Sequence, residues 1–496
     1  MTNEMMFSYQ TRLVLDEKQE TILQECACLF SHVEHCLYKE VIKGKTSASC
    51  KNDFLKTYGI TARQFNAVRV SLDGKIAACK EGQKQGIASL KQQIISLNKT
   101  IQKLENKSSK KFVLHQKKRR LINFSNRLSS LEKDYKEGRV PICFGGKKLF
   151  RAQHNLEKNG FSSHQEWLSC WQGKRSSEFF VLGSKDETGG NQSCVATVKG
   201  NSLSLRLRLP RALEQKYGKY LTIDDVSFSY GHDAILASLN NPNGQALSYR
   251  FKKDEKGFRV FVSTALEKTD TITRDGYGAI GVDINIDHIA YAETDRFGNP
   301  VDSKKLPWVS NGKSRDQLKA ITGDLCKILI NKSIETKKPL VIEKLDFQKK
   351  KLSLKENCCA RLSRNLSSFA YGLFFDFLKA SAYKHGVTVH EVNPAYTSTI
   401  GRVNYAKRYG LSVHCAAALC IARRHQKFSE NPCSPVRVVP DGKGGQVTFV
   451  LPVRDRTKHV WHFWGQVNRK LKTVLAAHFK AMKNRSTSPP ESACEM

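Results

Sequence analysis

Two short apolar runs in this chain each end on a carboxylate. One spans residues 279–283 and ends at Asp283, and the other spans residues 339–343 and ends at Glu343. Such runs predict buried strands, and acids at strand ends are suited to holding divalent metal ions. Two acids that converge on a pair of ions could hydrolyse a phosphodiester. Either acid alone could instead cap a strand or lie at the surface, but the two together favour catalysis.

The residues around these acids predict alternating strands and helices. We expect strands at 279–285, 288–294, 339–343 and 387–393, and helices at about 314–335, 362–385 and 411–424. Strands that alternate with helices after an opening hairpin predict a mixed α/β sheet of the ribonuclease H type. The first and fourth strands of such a sheet are neighbours, so Asp283 and Glu343 would meet despite the sequence between them.

A different pattern precedes this region. Alternating runs separated by turn signals predict a small antiparallel β-barrel or sandwich. These runs are residues 203–209, 226–230, 246–251 and 258–262. The isolated strand predicted at 7–15 needs a partner, and this β domain offers one. Apolar residues spaced three and four apart from Gly86 to Leu131 predict an antiparallel helical hairpin, which would be an insertion into the β domain.

The chain is strongly basic, which indicates a polyanionic partner. Its 496 residues include 82 Lys and Arg against 46 Asp and Glu, a formal net charge of +36. This excess is larger than solubility requires, so nucleic acid is the expected partner. A ribosomal or merely basic surface protein is the alternative, although such proteins seldom carry acids at the ends of buried strands. The candidate phosphate-binding side chains are Lys110, Lys111, Lys117, Lys118, Arg119, Arg120, Lys349, Lys350 and Lys351.

The sequence predicts a cytoplasmic protein that does not enter a membrane. No window approaches the roughly eighteen apolar residues that a spanning helix needs, and residues 1–7 do not resemble the start of a signal peptide. The 15 cysteines include no Cys-x-x-Cys pair, so reduced and mostly buried thiols are expected.

Three segments resemble the motifs of TnpB, a family of transposon-encoded nucleases with a RuvC-like domain that is ancestral to the type V CRISPR effectors. The segments are residues 281–290 (GVDINIDHIA), 340–347 (LVIEKLDF) and 392–398 (VNPAYTS). The resemblance covers about residues 275–425 and extends to the rest of the chain in domain order. It implies a β-barrel wedge domain at 1–15 and 139–275, an inserted helical recognition domain at 16–138, a RuvC-like α/β nuclease domain at 276–485 and a loose tail at 486–496.

The resemblance also implies a function. The protein would bind a guide RNA and cut double-stranded DNA that pairs with the guide beside a short adjacent motif, with Mg²⁺ or Mn²⁺ held by Asp283 and Glu343. Arg63, Gln64 and Asn66, at the start of a recognition-domain helix, are side-chain types that could read the adjacent motif. A prokaryotic, nucleoid-associated location is expected. A monomer is favoured, and whether one or two chains act together stays open.

Two departures from the family leave the site incomplete. Members usually carry a four-cysteine zinc ribbon after the third segment, but residues 399–411 contain no cysteine, so no structural zinc is expected. Their final helix usually opens on an aspartate, whereas residues 412–419 here read SVHCAAAL. Glu391 and His414 are equal candidates to complete the site, ahead of Asp287.

If none of these residues completes the site, cleavage has been lost. The protein would then be an RNA-guided DNA-binding repressor without nuclease activity. A guide-free RuvC-like nuclease or transposase is a further alternative, although it would leave the wedge domain and the helical hairpin without a role.

Overall fold

The structure is a computed structural model that describes residues 4–105, 111–241, 245–266, 269–285, 287–309, 312–344, 368–432, 434–442 and 444–485. The chain divides into two compact units, Met1–Glu267 and Lys268–Met496. The tail predicted at 486–496 lies outside the described residues. Within the described residues, no helix combines the length and the apolar character that crossing a bilayer requires.

The first unit combines antiparallel sheets with helices. Its helices are α1 (Glu17–Ile42), α2 (Lys51–Tyr58), α3 (Ala62–Glu105), α4 (Lys111–Lys136), α5 (Lys147–Ala152), α6 (His164–Arg175), α7 (Arg211–Tyr217) and α8 (His232–Leu239). Its strands are β1 (Met5–Arg12), β2 (Glu178–Val181), β3 (Cys194–Lys199), β4 (Ser202–Arg208), β5 (Tyr220–Val226), β6 (Ser248–Asp254) and β7 (Gly257–Leu266). One sheet has the order β1-β7-β6-β2 and the other β3-β4-β5.

As far as the described residues extend, the strands of this unit form two sheets and no closed barrel, so of the predicted barrel or sandwich the barrel is not confirmed. The strand predicted at 226–230 is wrong. Strand β5 spans Tyr220–Val226 and ends where the predicted strand begins. The expected partner of the N-terminal strand is confirmed, because β1 pairs antiparallel with β7 from Met5 opposite Leu266 to Arg12 opposite Arg259. Helices α1 to α4 therefore lie, in sequence, between two paired strands.

The predicted helical hairpin is confirmed and is longer than expected. Helix α3 starts at Ala62, well before Gly86, and α4 returns beside it. Ion pairs of 2.8 Å join Lys91 to Glu132 and Lys118 to Glu105, which fixes the antiparallel direction.

The second unit contains the mixed sheet. Its helices are α9 (Arg315–Thr336), α10 (Ser368–Lys384), α11 (Thr397–Ile400), α12 (Val413–His425) and α13 (Val460–Arg485). Its strands are β8 (Ile280–Ile284), β9 (His288–Thr294), β10 (Pro300–Pro307), β11 (Leu340–Glu343), β12 (Val389–Val392), β13 (Val436–Pro440) and β14 (Gln446–Val450). Five strands follow the order β10-β9-β8-β11-β12, and β11 is parallel to both β8 and β12. The expected neighbours, the first and fourth strands, are thus confirmed as β8 and β11.

The two faces of this sheet pack against different helices. Ile280, Val282 and Ile342 join a core with residues of α9 and α10. On the opposite face, Val341 packs with residues of α12. A Cβ atom at Gly281 would overlap the backbone of α12 at Ala418. Glycine at this position therefore allows the helix to lie directly on β8.

Candidate functional site

The register of the sheet places the two predicted acids side by side. The last pair between β11 and β8 is Ile342 opposite Val282, so Glu343 and Asp283 follow as the next residues on adjacent parallel strands. Side chains alternate between the faces of a strand. Both acids therefore lie on the face that α12 covers.

Asp283 is largely buried and has two polar neighbours. Its side chain is 10 % exposed, and its Oδ2 atom accepts a hydrogen bond of 2.9 Å from Nδ2 of Asn285. The Nδ1 atom of His414 lies 3.3 Å from the same oxygen. His414 is in the first turn of α12, where the unpaired N–H groups of the helix favour nearby negative charge. The structure therefore brings His414, a residue predicted to complete the site, to Asp283.

A second histidine extends this group. The rings of His288 and His414 meet edge to face with centroids 4.4 Å apart. Asp287 lies 2.8 Å from Nδ1 of His288, and this hydrogen bond holds the pKa of Asp287 below its ordinary value. Asp287 is therefore linked to Asp283 indirectly, through His288 and then either His414 or Asn285. His288 was not singled out in the sequence, although it lies within the first segment that resembles TnpB.

Glu343 is oriented by a buried threonine. The Oγ1 atom of Thr397 donates a 2.5 Å hydrogen bond to Oε1 of Glu343, and Thr397 is 2 % exposed. The preceding residue, Tyr396, has a φ of +60°, so the chain turns sharply there before α11 begins. Thr397 belongs to the third segment of the resemblance, but its role could not be read from its type.

Glu391 is not brought to this group. It lies opposite Ile342 in the pairing of β12 with β11, and so faces the side of the sheet away from α12. Its Oε1 atom is 2.6 Å from Nζ of Lys379 on α10. Residues 390 and 392 are the ones that share a face with Glu343.

The donor types decide which ions this site could hold. Carboxylate oxygens suit Mg²⁺ and Mn²⁺, whereas imidazole suits other transition metals better. Asp283 and Glu343 are thus the two side chains that fit Mg²⁺. The ligand atoms of Asp283, Glu343 and His414 do not all lie within 4.8 Å of one another. Two ions, which lie about 4 Å apart in such sites, require a wider spread of ligands.

The predicted phosphate-binding residues are described only in part. Lys111, Lys117, Lys118, Arg119 and Arg120 lie on α4. Lys118 forms an ion pair with Glu105, and the guanidinium of Arg120 lies over the ring of Phe124 at 4.9 Å. Lys110, Lys349, Lys350 and Lys351 lie outside the described residues.

The residues predicted to read an adjacent motif start α3 and differ in exposure. Arg63 is exposed but pairs with Glu187 at 2.5 Å. Gln64 is buried, accepts from the backbone N–H of Thr61 and donates to the carbonyl of Arg208. These bonds use the Gln64 amide for local structure. Asn66 is half-buried.

The topology and the site together define an α/β unit of the ribonuclease H type with two acids on neighbouring parallel strands. No protein-family model and no curated protein matches the chain. Among solved structures, it is similar to RuvC of Thermus thermophilus at 16 % identity and a TM-score of 0.21, covering 30 % of this chain and 92 % of that one.

Two further similarities span more of the chain. A CRISPR-Cas12f ternary complex matches at 14 % identity and a TM-score of 0.21, covering 84 % of this chain and 98 % of that one. The Cas12i1 R-loop complex after target DNA cleavage matches at 10 % identity and a TM-score of 0.19, with 89 % and 54 % covered. At these TM-scores the similarities support no conclusion about function.

Proposed function

We propose that this protein is a divalent-metal-dependent endonuclease that cuts DNA at a site chosen by a bound guide RNA. The observation that carries the proposal is the placement of Asp283 and Glu343 on adjacent parallel strands and on one face of the sheet, with Asp283 beside the first turn of α12. Two carboxylates side by side repel each other unless a cation lies between them, so this placement favours a metal site.

The residues would share the work as follows. Asp283 and Glu343 would hold the ions, which activate water and stabilise the leaving oxygen of the phosphodiester. Asn285 and Thr397 orient the two carboxylates through hydrogen bonds of 2.9 and 2.5 Å. His414 and the start of α12 supply hydrogen-bond donors and positive potential where the scissile phosphate would carry its negative charge.

Two features support a guide RNA as the partner: the charge of the chain and its resemblance to TnpB. The formal net charge of +36 is suited to a partner with many phosphates. Exposed cations on α4, such as Arg119, could hold a guide–target duplex by its backbone, without reading its sequence.

The test is cleavage by the protein purified with its own RNA. The co-purifying RNA is sequenced, and DNA matching its variable end is offered with Mg²⁺, with Mn²⁺ and with a chelator. Cleavage of matched DNA with metal, and its loss in Asp283→Ala, is the expected result. Absence of bound RNA would refute guidance and favour the guide-free nuclease or transposase.

A second candidate function is an RNA-guided DNA-binding repressor. The observation that favours it is His414 in the first turn of α12, where the resemblance implies an acid. Wild-type protein that binds matched DNA tightly but leaves it intact with either metal would identify this function.

A further inference from the structure

A second group of metal-ligating side chains lies in the same unit, away from Asp283. Asp275 is in a short 3₁₀ turn before β8, His390 is on β12, and His425 is the last residue of α12. One ligand atom from each of the three residues lies within 4.8 Å of the other two. No motif in the sequence indicates this group, because its members are far apart along the chain.

The distances fit one small cation. Nε2 of His390 and Nε2 of His425 lie 3.2 and 3.5 Å from the same atom, Oδ1 of Asp275. Bonds of about 2.0–2.1 Å to a tetrahedral Zn²⁺ place neighbouring ligand atoms about 3.3 Å apart. Both Nε2 atoms thus face the carboxylate, and the two imidazole rings are stacked with centroids 4.1 Å apart. Two histidines and one carboxylate are a donor set that suits Zn²⁺ and disfavours Mg²⁺.

The group is separate from the candidate nuclease site but shares its elements. His414 and His425 stand eleven residues apart on α12, which corresponds to about 16 Å along the helix. Asp275 precedes the strand that carries Asp283, and His390 is on the strand next to the one that carries Glu343. A cation here would join β12 to β8 and α12, the two elements that carry Asp283 and His414.

We propose that Asp275, His390 and His425 form a Zn²⁺ site that fastens the start of β8, strand β12 and the end of α12 to one another. Three protein ligands leave the fourth tetrahedral position to water. The site differs in residues and in place from the four-cysteine zinc ribbon that members of the TnpB family usually carry, and it was not expected from the sequence.

Zinc binding can be measured without any assay of cleavage. The full-length protein, stripped with a chelator, is titrated with Zn²⁺ in competition with a chromophoric chelator, and with Co²⁺ while its visible spectrum is recorded. We expect one tight Zn²⁺ per chain and the absorption of tetrahedral Co²⁺. His390→Gln and His425→Gln should each weaken Zn²⁺ binding by more than about 100-fold. Even the mutation of a residue that only hydrogen-bonds to a metal ligand typically lowers metal affinity by about 10- to 100-fold.

Matched variants separate this site from other effects. Asp283→Asn, in the candidate nuclease site, and His385→Gln, an exposed histidine of the same unit, should both keep the wild-type Zn²⁺ affinity. His425→Cys should retain the ion and add a thiolate-to-cobalt charge-transfer band, which a residue with a purely structural role would not produce. Circular dichroism of the metal-free variants checks their fold.

Two outcomes would overturn the proposal. One is a wild-type protein that binds Zn²⁺ no more tightly than His390→Gln and His425→Gln do. The other is a His425→Cys variant whose Co²⁺ spectrum lacks the sulfur band, whether or not it binds the ion. In either case the two histidines would serve only as hydrogen-bond donors to Asp275.

Discussion

Replacing Thr397 by valine tests whether the hydrogen bond to Glu343 prepares a metal site. Valine keeps the shape of this buried side chain and removes the hydroxyl that donates 2.5 Å to the carboxylate. A hydrogen bond to a charged group contributes about 1.5–3 kcal/mol. Because Glu343 is partly exposed, we expect the lower end of that range, about 1.5 kcal/mol, as the loss in free energy of unfolding.

The larger effect should be on metal binding. Partners that orient a ligand typically change metal affinity by about 10- to 100-fold. The metal concentration that gives half-maximal cleavage should therefore rise by that factor in Thr397→Val, while the rate at saturating metal stays close to the wild-type rate. If the protein binds DNA without cutting it, the same shift is measured as a smaller rise in unfolding temperature on adding Mn²⁺.

Two variants control this experiment. Thr397→Ser keeps the hydroxyl and should behave like the wild type. Thr399→Val removes a buried hydroxyl two residues away, which donates to Asn468 instead, and should leave the metal dependence unchanged. An unaltered metal dependence in Thr397→Val, or an equal change in Thr399→Val, would refute the role of Thr397.

Three further predictions concern other groups. His414→Asp should raise the rate of Mg²⁺-supported cleavage above the wild-type rate, since a carboxylate suits Mg²⁺ better than imidazole does. His414→Asn, which adds no charge, is the control. Equal cleavage rates of the two variants with Mg²⁺ would contradict the prediction. Burial and the charge of Arg175 lower the pKa of His35 to about 4. Between about pH 6.5 and 4 the unfolded chain therefore binds more protons than the folded protein. The free energy of unfolding should fall as the pH drops through this window. His35 is only half-buried, so its share of this loss in free energy of unfolding is about 1–2 kcal/mol. His35→Gln should remove that share, so the free energy of unfolding should depend less on pH in this window. An unchanged pH dependence would show that another group is responsible. Arg119→Gln should reduce the slope of log affinity for nucleic acid against log salt concentration by up to about 0.9. Lys91→Gln is the control, because the amine of Lys91 pairs with Glu132, and it should leave the slope unchanged. Equal slopes in the wild type and both variants would contradict a contact between α4 and nucleic acid.

The sequence predicted the elements whose side chains follow a clear period. The apolar runs before Asp283 and Glu343 became adjacent strands, and the spacing from Gly86 to Leu131 became a helical hairpin. Strand β10 was missed because only one of its residues, Leu306, is buried and because it starts and ends with proline. The hairpin of β13 and β14 was likewise not predicted.

The contents of the site depended on register, which the sequence does not encode locally. A strand was expected at 387–393, but only its pairing with β11 decides that His390, rather than Glu391, lies on the face of α12. A shift of one residue would have exchanged them. The contact of His414 with Asp283 similarly depends on how closely α12 approaches Gly281.

Helix α12 carries His414 at its start and His425 at its end. Eleven residues are close to three full turns, so both side chains leave the helix on the side of the sheet. Deleting or inserting one residue between them would rotate one histidine by about 100° relative to the other. Of the residues between the two histidines, Cys415–Ala422 are all buried. The helix therefore has no room to rotate in compensation, and a change in its length would detach one of its two ends.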